Sequence, residues 1–132
     1  MKLNVCAARW SFAVATLAVA FNTTAADKGW LKLRGTALTQ AFTNQDFGDG
    51  VHFAYQFLER GDLRGTDMGR PTQGYWRVAG SELCWRWTKS RDPEACYEVR
   101  QQGASIRLFL DGQEVLTGKL TPLSPKPMEV TR

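Results

Sequence analysis

The sequence predicts a mainly β fold: an antiparallel meander of about seven strands, curled into a small barrel or half-barrel, with one short N-terminal helix. Two observations support this prediction. From Val51 onward, apolar residues alternate with period two, which is typical of strands with one buried face. Short turn signals such as Gly80-Ser81 and Asp111-Gly112 separate these segments and favour hairpins between sequential strands. An open sheet capped by the helix is the alternative, because either closure or a covering element protects strand edges.

Residues 1–26 have the pattern of a secretory signal peptide. A basic start with Lys2 and Arg9 precedes an apolar stretch at residues 11–21 and a small-residue exit that ends at Ala26. The apolar stretch is shorter than the roughly 20 residues of a membrane-spanning helix. We therefore expect cleavage after Ala26, no membrane span in the mature chain, and a periplasmic or secreted location. A retained N-terminal anchor is the alternative.

Cleavage changes the charge that bears on function. The 132-residue chain has 17 Lys and Arg against 13 Asp and Glu, a formal charge of +4. Loss of Lys2 and Arg9 leaves 15 basic against 13 acidic residues, a difference of +2. Such a small charge on an exported protein argues against nucleic-acid binding. About 106 residues remain (132 minus 26), which suits a single β-rich domain at residues 27–121 and a proline-rich tail at residues 122–132.

The helix and the first hairpin come first in the mature chain. Apolar residues recur at helical spacing over residues 36–42, which predicts a short helix. The first strand is predicted over residues 51–57, with its odd-numbered residues on one face, and the return strand over residues 62–68. Glu59-Arg60-Gly61 suits a three-residue loop between them, and residues 69–74 are predicted to be a polar loop.

The remaining strands follow as two hairpins and a final return strand. Gly80-Ser81 joins residues 75–79 to residues 82–88 with glycine at the first turn position. Gln102-Gly103 is predicted to join residues 95–101 to residues 104–110, and Asp111-Gly112 leads into residues 113–119. The facing pairs that these turns predict are Phe57–Leu63, Val78–Leu83, Trp76–Trp85, Val99–Ile106, Tyr97–Leu108 and Leu108–Val115.

Two cysteines, Cys84 and Cys96, remain once the leader with Cys6 is removed. Each lies on the strand face opposite its apolar neighbours, so both thiols point to the same side of adjoining antiparallel strands. An exported protein with an even pair of thiols is expected to oxidise them, which predicts a Cys84–Cys96 disulfide. The closed loop is short, so the bond should add about 2–3 kcal/mol of stability.

An aromatic face carries the main functional hypothesis. Its members are Phe53, Tyr55, Phe57, Trp76, Trp85, Trp87 and Tyr97. One interpretation is a hydrophobic core, since a closed barrel this small is filled by its own side chains. The other is a barrel mouth that accepts a small apolar ligand, with Tyr55, Trp76, Trp85, Trp87 and Tyr97 as the candidate binding residues.

The other candidates for chemistry are weaker. His52 is the only histidine and is interpreted as a surface residue, with a general base or metal ligand as the alternative. Asp46 and Asp49 lie in a glycine-rich turn that lacks calcium-loop spacing. We expect no enzyme activity, no metal and no cofactor. The strand face opposite the aromatics is interpreted as solvated, with an anion or polysaccharide patch as the alternative, and it bears four arginines: Arg77, Arg86, Arg100 and Arg107.

Four segments of the chain carry a resemblance to a known type of protein: Leu33-Arg-Gly-Thr-Ala-Leu38, Gly74-Tyr-Trp-Arg-Val78, Leu83-Cys-Trp85 and Cys96-Tyr-Glu-Val99. Over residues 31–120 the chain resembles short exported proteins of proteobacteria that combine a small helix with a lipocalin-like β-meander. Our leading hypothesis for function is a non-enzymatic domain that binds a small apolar ligand or an envelope component. The alternative is an interaction or inhibitor module that uses the sheet edge or the arginine-bearing face.

Overall fold

A computed structural model describes residues 28–124. It contains nine strands and one α-helix within this range, together with a 3-10 turn at Glu59–Gly61. In chain order the elements are β1 Leu31–Leu33, α1 Gly35–Phe42, β2 Gln45–Gly48, β3 Phe53–Phe57, β4 Asp62–Asp67, β5 Arg70–Ala79, β6 Glu82–Trp87, β7 Ala95–Gln102, β8 Ser105–Leu110 and β9 Gln113–Pro122.

Strands β2 to β9 form a closed, eight-stranded antiparallel barrel. Each strand pairs with the next along the chain, and β9 closes the ring by pairing with β2, from Gln45 opposite Pro122 to Gly48 opposite Lys119. Strand β1 lies end to end with β6 along the same edge of β7. The predicted barrel is therefore confirmed, and closure through β2 and β9 decides against the open sheet.

Helix α1 closes one end of this barrel. Leu38 and Phe42, four residues apart on one helix face, are completely buried against the barrel interior. The N–H of Gly35 donates to the carbonyl of Gly80 at 2.9 Å, which ties the start of the helix to the β5–β6 turn. The hydroxyl of Thr43 donates to the Thr39 carbonyl and ends the helix. The predicted helix over residues 36–42 is confirmed within one residue.

Two of the four predicted hairpins, β3–β4 and β5–β6, have the predicted register. In the β5–β6 hairpin, Val78 faces Leu83 and Trp76 faces Trp85 across the Gly80-Ser81 turn. Gly80 has a φ of 59°, a left-handed conformation that favours glycine. Leu63 lies opposite Phe57, as expected.

Three details of the strand predictions were wrong. The first strand begins at Phe53, and Val51 lies in the preceding turn with 80% of its surface exposed. The predicted polar loop at residues 69–74 is instead the first half of β5, because Met68 and Gly69 make the turn. Strands β1 and β2 were not predicted, since three and four residues are too few to show a period of two.

The β7–β8–β9 register differs from the prediction as well. Val99 faces Leu108 rather than Ile106, a slip of two residues that leaves every side chain on its expected face. A bulge beside Leu108 then leaves Val115 without a facing residue, so Leu108 faces Leu116 and Val115 is exposed.

The barrel interior is filled by one continuous core. Its completely buried side chains come from α1 and from strands on all sides of the barrel: Leu38, Phe42, Phe47, Phe57, Leu83, Val99, Ile106 and Leu108. No helix within residues 28–124 is long and apolar enough to cross a membrane. The predicted leader, residues 1–26, and most of the predicted tail lie outside the described residues, while β9 extends to Pro122.

Candidate ligand-binding surfaces

The predicted aromatic face is a single cluster of rings inside the barrel. Trp85 lies at its centre, with ring centroids 4.4 Å from Tyr97 and 6.1 Å from Tyr55. Trp76 packs on Phe57 at 5.4 Å and donates its indole N–H to the Leu58 carbonyl at 2.8 Å. Trp76, Trp85 and Tyr55 are buried, so these three side chains serve the core.

The two other aromatic candidates, Trp87 and Tyr97, are only partly buried. They lie toward the barrel end remote from α1, because β6 ends at Trp87 and β7 starts at Ala95. Tyr55 packs 4.9 Å from Trp87 and donates its hydroxyl to Asp67 at 2.9 Å. Burial, together with this bond to a carboxylate, raises the pKa of Tyr55 far above its ordinary value. The far end thus combines apolar rings with one fixed polar pair.

The outer wall carries a concave surface that the sequence did not predict, which we call the trough. Its floor is a row of mostly small, outward-facing residues that the strand register sets side by side: Ser105, Lys119, Gly48, Ala54 and Thr66. The trough has a volume of about 710 Å³. It exists because four of these five neighbouring strands place a small side chain at this level of the outer wall.

Glycine is required at one position in this floor. A Cβ atom on Gly48 would lie 2.7 Å from the carbonyl oxygen of Phe53 and 3.3 Å from the Cα of Ala54. Both are backbone atoms that cannot move aside within a paired strand. Close approach of β2 and β3 therefore excludes a side chain at this position and keeps the floor of the trough open.

Polar groups line the rim of the trough. The carboxylate of Asp49 accepts the backbone N–H groups of Val51, His52 and Phe53 at 2.9, 2.6 and 3.2 Å, and it lies 2.7 Å from the Nδ1 atom of His52. These donors, Val51 first, hold the pKa of Asp49 well below its usual range. Asp49 thus caps the β2–β3 turn and orients the imidazole. His52 itself is exposed, as predicted.

A second carboxyl group, that of Asp46, lies in the trough wall. Burial raises the pKa of Asp46, and no hydrogen bond or ion pair within residues 28–124 engages it. The ammonium group of Lys119 also lines the trough. The trough therefore offers a ligand a mainly apolar surface, a hydrogen-bonding carboxyl group and a cation.

The predicted disulfide is confirmed. Cys84 and Cys96 face each other directly across β6 and β7, with their Cα atoms 4.0 Å apart. The carboxylate of Glu82 is near the two sulfur atoms, and such a triplet of donors can suit a metal ion. Both sulfurs are consumed by the disulfide, so the oxidised protein offers only the carboxylate.

The four predicted arginines lie on the outer wall in two groups. Arg100 stacks on Phe109 at 4.5 Å and Arg107 on Trp30 at 4.2 Å, so both guanidinium groups cover aromatic rings. Lys32 and Arg100 together hold the pKa of Glu98 below its ordinary value. The other group, Arg77 and Arg86, lies on β5 and β6 and borders a second concave surface.

No protein-family model, no curated protein and no solved structure matches this chain. The closed antiparallel barrel with its single helix is consistent with the lipocalin-like resemblance at the level of architecture. Eight strands enclose an interior that can be filled by side chains or can hold one small ligand. In this barrel the side chains fill it, and the concave surfaces described above lie on the outer wall.

Proposed function

We propose that this chain is an exported, non-enzymatic binding domain that holds a small, mainly apolar ligand in the trough. One observation carries the proposal: the register places small outward residues on four of five neighbouring strands and leaves a concavity of about 710 Å³. Ligand pockets commonly have volumes of about 300–1,000 Å³ and combine apolar walls with a few polar groups. Asp46, Lys119 and His52 supply those groups here.

The trough proposal is tested by filling the floor. Ala54→Trp places an indole in the trough, whereas Ala79→Trp makes the same change at an outward position beside the β5–β6 turn. The probe is 8-anilinonaphthalene-1-sulfonate, an apolar anion that suits the floor and Lys119. We expect Ala54→Trp to weaken the fluorescence-detected binding about tenfold or more while Ala79→Trp binds like the wild type. Equal binding by the two variants, or none by the wild type, would overturn the proposal.

The partly buried rings at the far end favour a second binding position for the same class of ligand. Trp87 and Tyr97 retain solvent-accessible surface next to buried apolar rings, as a ligand-contacting aromatic does. A hydrophobic ligand there should quench or shift tryptophan fluorescence, and Trp87→Phe should remove most of that change. If a panel of apolar ligands leaves the tryptophan fluorescence unchanged, the far end of the barrel has no binding role.

Export is part of the proposal and has its own support. The basic, apolar and small-residue pattern of residues 1–26 is that of a signal peptide, and the Cys84–Cys96 bond suits an oxidising compartment such as the periplasm. The resemblance to exported proteobacterial proteins points the same way. Mass spectrometry of the protein recovered from outside the cytoplasm should give a mass without residues 1–26 and two hydrogens lighter than the reduced chain. An intact N-terminus would contradict the proposal.

A second candidate function is an interaction or inhibitor module that binds an envelope protein. The observation in its favour is an unpaired strand edge: β9 pairs with β2 only over residues 119–122, so within the described chain residues 113–118 have a strand partner only in β8. Exposed edges are sites of strand addition. Val115→Lys should abolish cross-linking to an envelope partner while Met68→Lys, an exposed turn position, should not. Unchanged cross-linking by Val115→Lys would exclude this edge.

A further inference from the structure

The structure contains a second groove, on the outer face of β5 and β6, which we call the arginine groove. The β6–β7 connection at residues 88–94 folds over these strands and encloses a space of about 710 Å³. Tyr75, Arg77, Arg86, Arg91 and Glu94 are among its walls. It lies on different strands from the trough, so its role is independent of the function proposed above.

One ion pair holds the connection in place. Arg77 on β5 donates its Nε to Glu94 at 2.9 Å and its Nη2 to the other carboxylate oxygen at 2.5 Å. Arg77 and Glu94 are thereby engaged with each other. The Cys84–Cys96 disulfide lies in the same row, because Cys84 faces both Arg77 and Cys96. Ser90 adds a turn inside the connection by accepting the N–H of Asp92 at 3.0 Å. The walls of the groove are thus held before any ligand arrives.

Two cations in the groove lack such a partner. Arg86 and Arg91 are exposed, and neither has a carboxylate within ion-pair distance in residues 28–124, although the charge of Arg86 helps to lower the pKa of Glu94. Three arginines and two acidic residues, Asp92 and Glu94, line the groove, which leaves a surplus of positive charge. An arginine fork matches the planar oxygens of carboxylate and phosphate groups, so these two side chains select for an anion.

The aromatic wall of the groove narrows the class of ligand. Tyr75 faces Arg86 directly across the two strands and has 58% of its surface exposed, so its ring is accessible to a ligand beside the guanidinium group. A flat apolar ring face beside guanidinium groups suits a sugar ring that carries an acidic group. A bare anion would use the arginines and leave the tyrosine without a role.

We propose that the arginine groove binds an acidic saccharide, with the anionic group on Arg86 and Arg91 and the sugar ring against Tyr75. The shared chemistry is an anionic oxygen group on a sugar, which a uronic acid carboxylate or a sugar phosphate can supply. Arg77 and Glu94 position the β6–β7 connection and do not contact the ligand.

The test is isothermal titration of the purified full chain with trigalacturonate, with glucose 1-phosphate, with neutral maltotriose and with inorganic phosphate. We expect binding of at least one of the two acidic saccharides, and the stronger of them identifies the anionic group. Maltotriose should not bind detectably. Raising NaCl from about 50 to about 300 mM should weaken binding severalfold, because the contacts are exposed ion pairs.

Variants separate the two parts of the site. Arg86→Gln/Arg91→Gln should weaken binding about tenfold or more, since charge-assisted hydrogen bonds are lost. Tyr75→Ala should weaken saccharide binding about threefold to tenfold, whereas Tyr75→Phe, which keeps the ring, should bind like the wild type. Arg60→Gln/Arg70→Gln is the matched control, because it removes the same charge from exposed arginines outside the groove.

Three outcomes would overturn the proposal. The first is no binding of either acidic saccharide, and the second is an equal loss of affinity in the control variant. The third is inorganic phosphate binding as tightly as glucose 1-phosphate with no effect of Tyr75→Ala, which would mean a simple ion site. None of these results bears on the trough, whose probe and variants are different.

Discussion

Reduction of the Cys84–Cys96 bond is the perturbation whose effect on stability follows most directly from the structure. The bond joins residues separated by 12 positions and lies between directly paired strand residues. On the chain-entropy relation, opening a loop of this length returns about 10 cal/mol/K to the unfolded chain, which is about 3 kcal/mol at 25 °C. Reduction removes no heavy atom, so it leaves no cavity at the completely buried site of Cys84. The free energy of unfolding should therefore fall by about 3 kcal/mol.

The assay is urea unfolding of the oxidised protein and of the protein kept reduced with dithiothreitol, followed by tryptophan fluorescence. The control is Cys84→Ala/Cys96→Ala, whose unfolding curve should not respond to the reductant. Because Cys84 is buried, this variant should be less stable than the reduced wild type by the additional cost of a small cavity. A difference below about 1 kcal/mol between oxidised and reduced protein would refute the loop-closure reasoning.

Three further predictions concern the core and the titrating groups. Phe42→Ala should lower the free energy of unfolding, measured in urea, by about 3–5 kcal/mol, because it removes the completely buried ring that closes the barrel. The control Val51→Ala changes a side chain that is 80% exposed and should alter the free energy of unfolding by less than about 0.5 kcal/mol. Because the pKa of Asp49 is lowered in the fold, its carboxylate stabilises the fold at pH above the ordinary carboxyl pKa, and this stabilisation is lost as pH falls toward the pKa in the folded protein. Asp49→Asn should therefore reduce the fall of the melting temperature at acid pH. An unchanged fall would contradict the role of Asp49 as a cap. The raised pKa of Tyr55 means that burial and Asp67 favour the neutral phenol, so this stabilisation is complete below the ordinary tyrosine pKa and is lost as pH rises above it. Burial raises the pKa of Tyr97 as well, so spectrophotometric titration should show part of the tyrosine absorbance change displaced to high pH, and Tyr55→Phe should reduce that displaced part.

Local patterns predicted the hairpins well, and their errors have local causes. The β5–β6 turn has glycine first and serine second, and the structure confirms both the turn and the register. At the β7–β8 turn the prediction put Gly103 second, whereas the strands end at Gln102 opposite Ser105 and Gly103 comes first, with a φ of 58°. A two-residue slip preserves the buried face. The alternation of apolar residues therefore indicated the core correctly even where the pairing was wrong.

The candidate sites were less accessible to sequence reasoning. The aromatic residues were correctly grouped on one face, because period two assigns faces strand by strand, and their ligand-binding role stays a prediction. The trough was missed since its floor joins Gly48 and Ala54 to Ser105 and Thr66, and small residues carry no signal until the strand order is known. Sequence reasoning predicted only part of the arginine groove. Arg77 and Arg86 were placed on the outer face, but Arg91 lies in a connection with no periodicity.

The sequence alone determined the elements that depend on neighbours along the chain: the hairpins, the buried face of each predicted strand, the short helix and the facing cysteines. Turn chemistry and side-chain alternation act over a few residues, so they can be read without the fold. Tertiary structure alone decided the pairing of Gln45–Gly48 with residues 119–122, which closes the barrel. That pairing joins segments more than 70 positions apart, and the trough depends on side chains from strands that only the closed barrel makes neighbours.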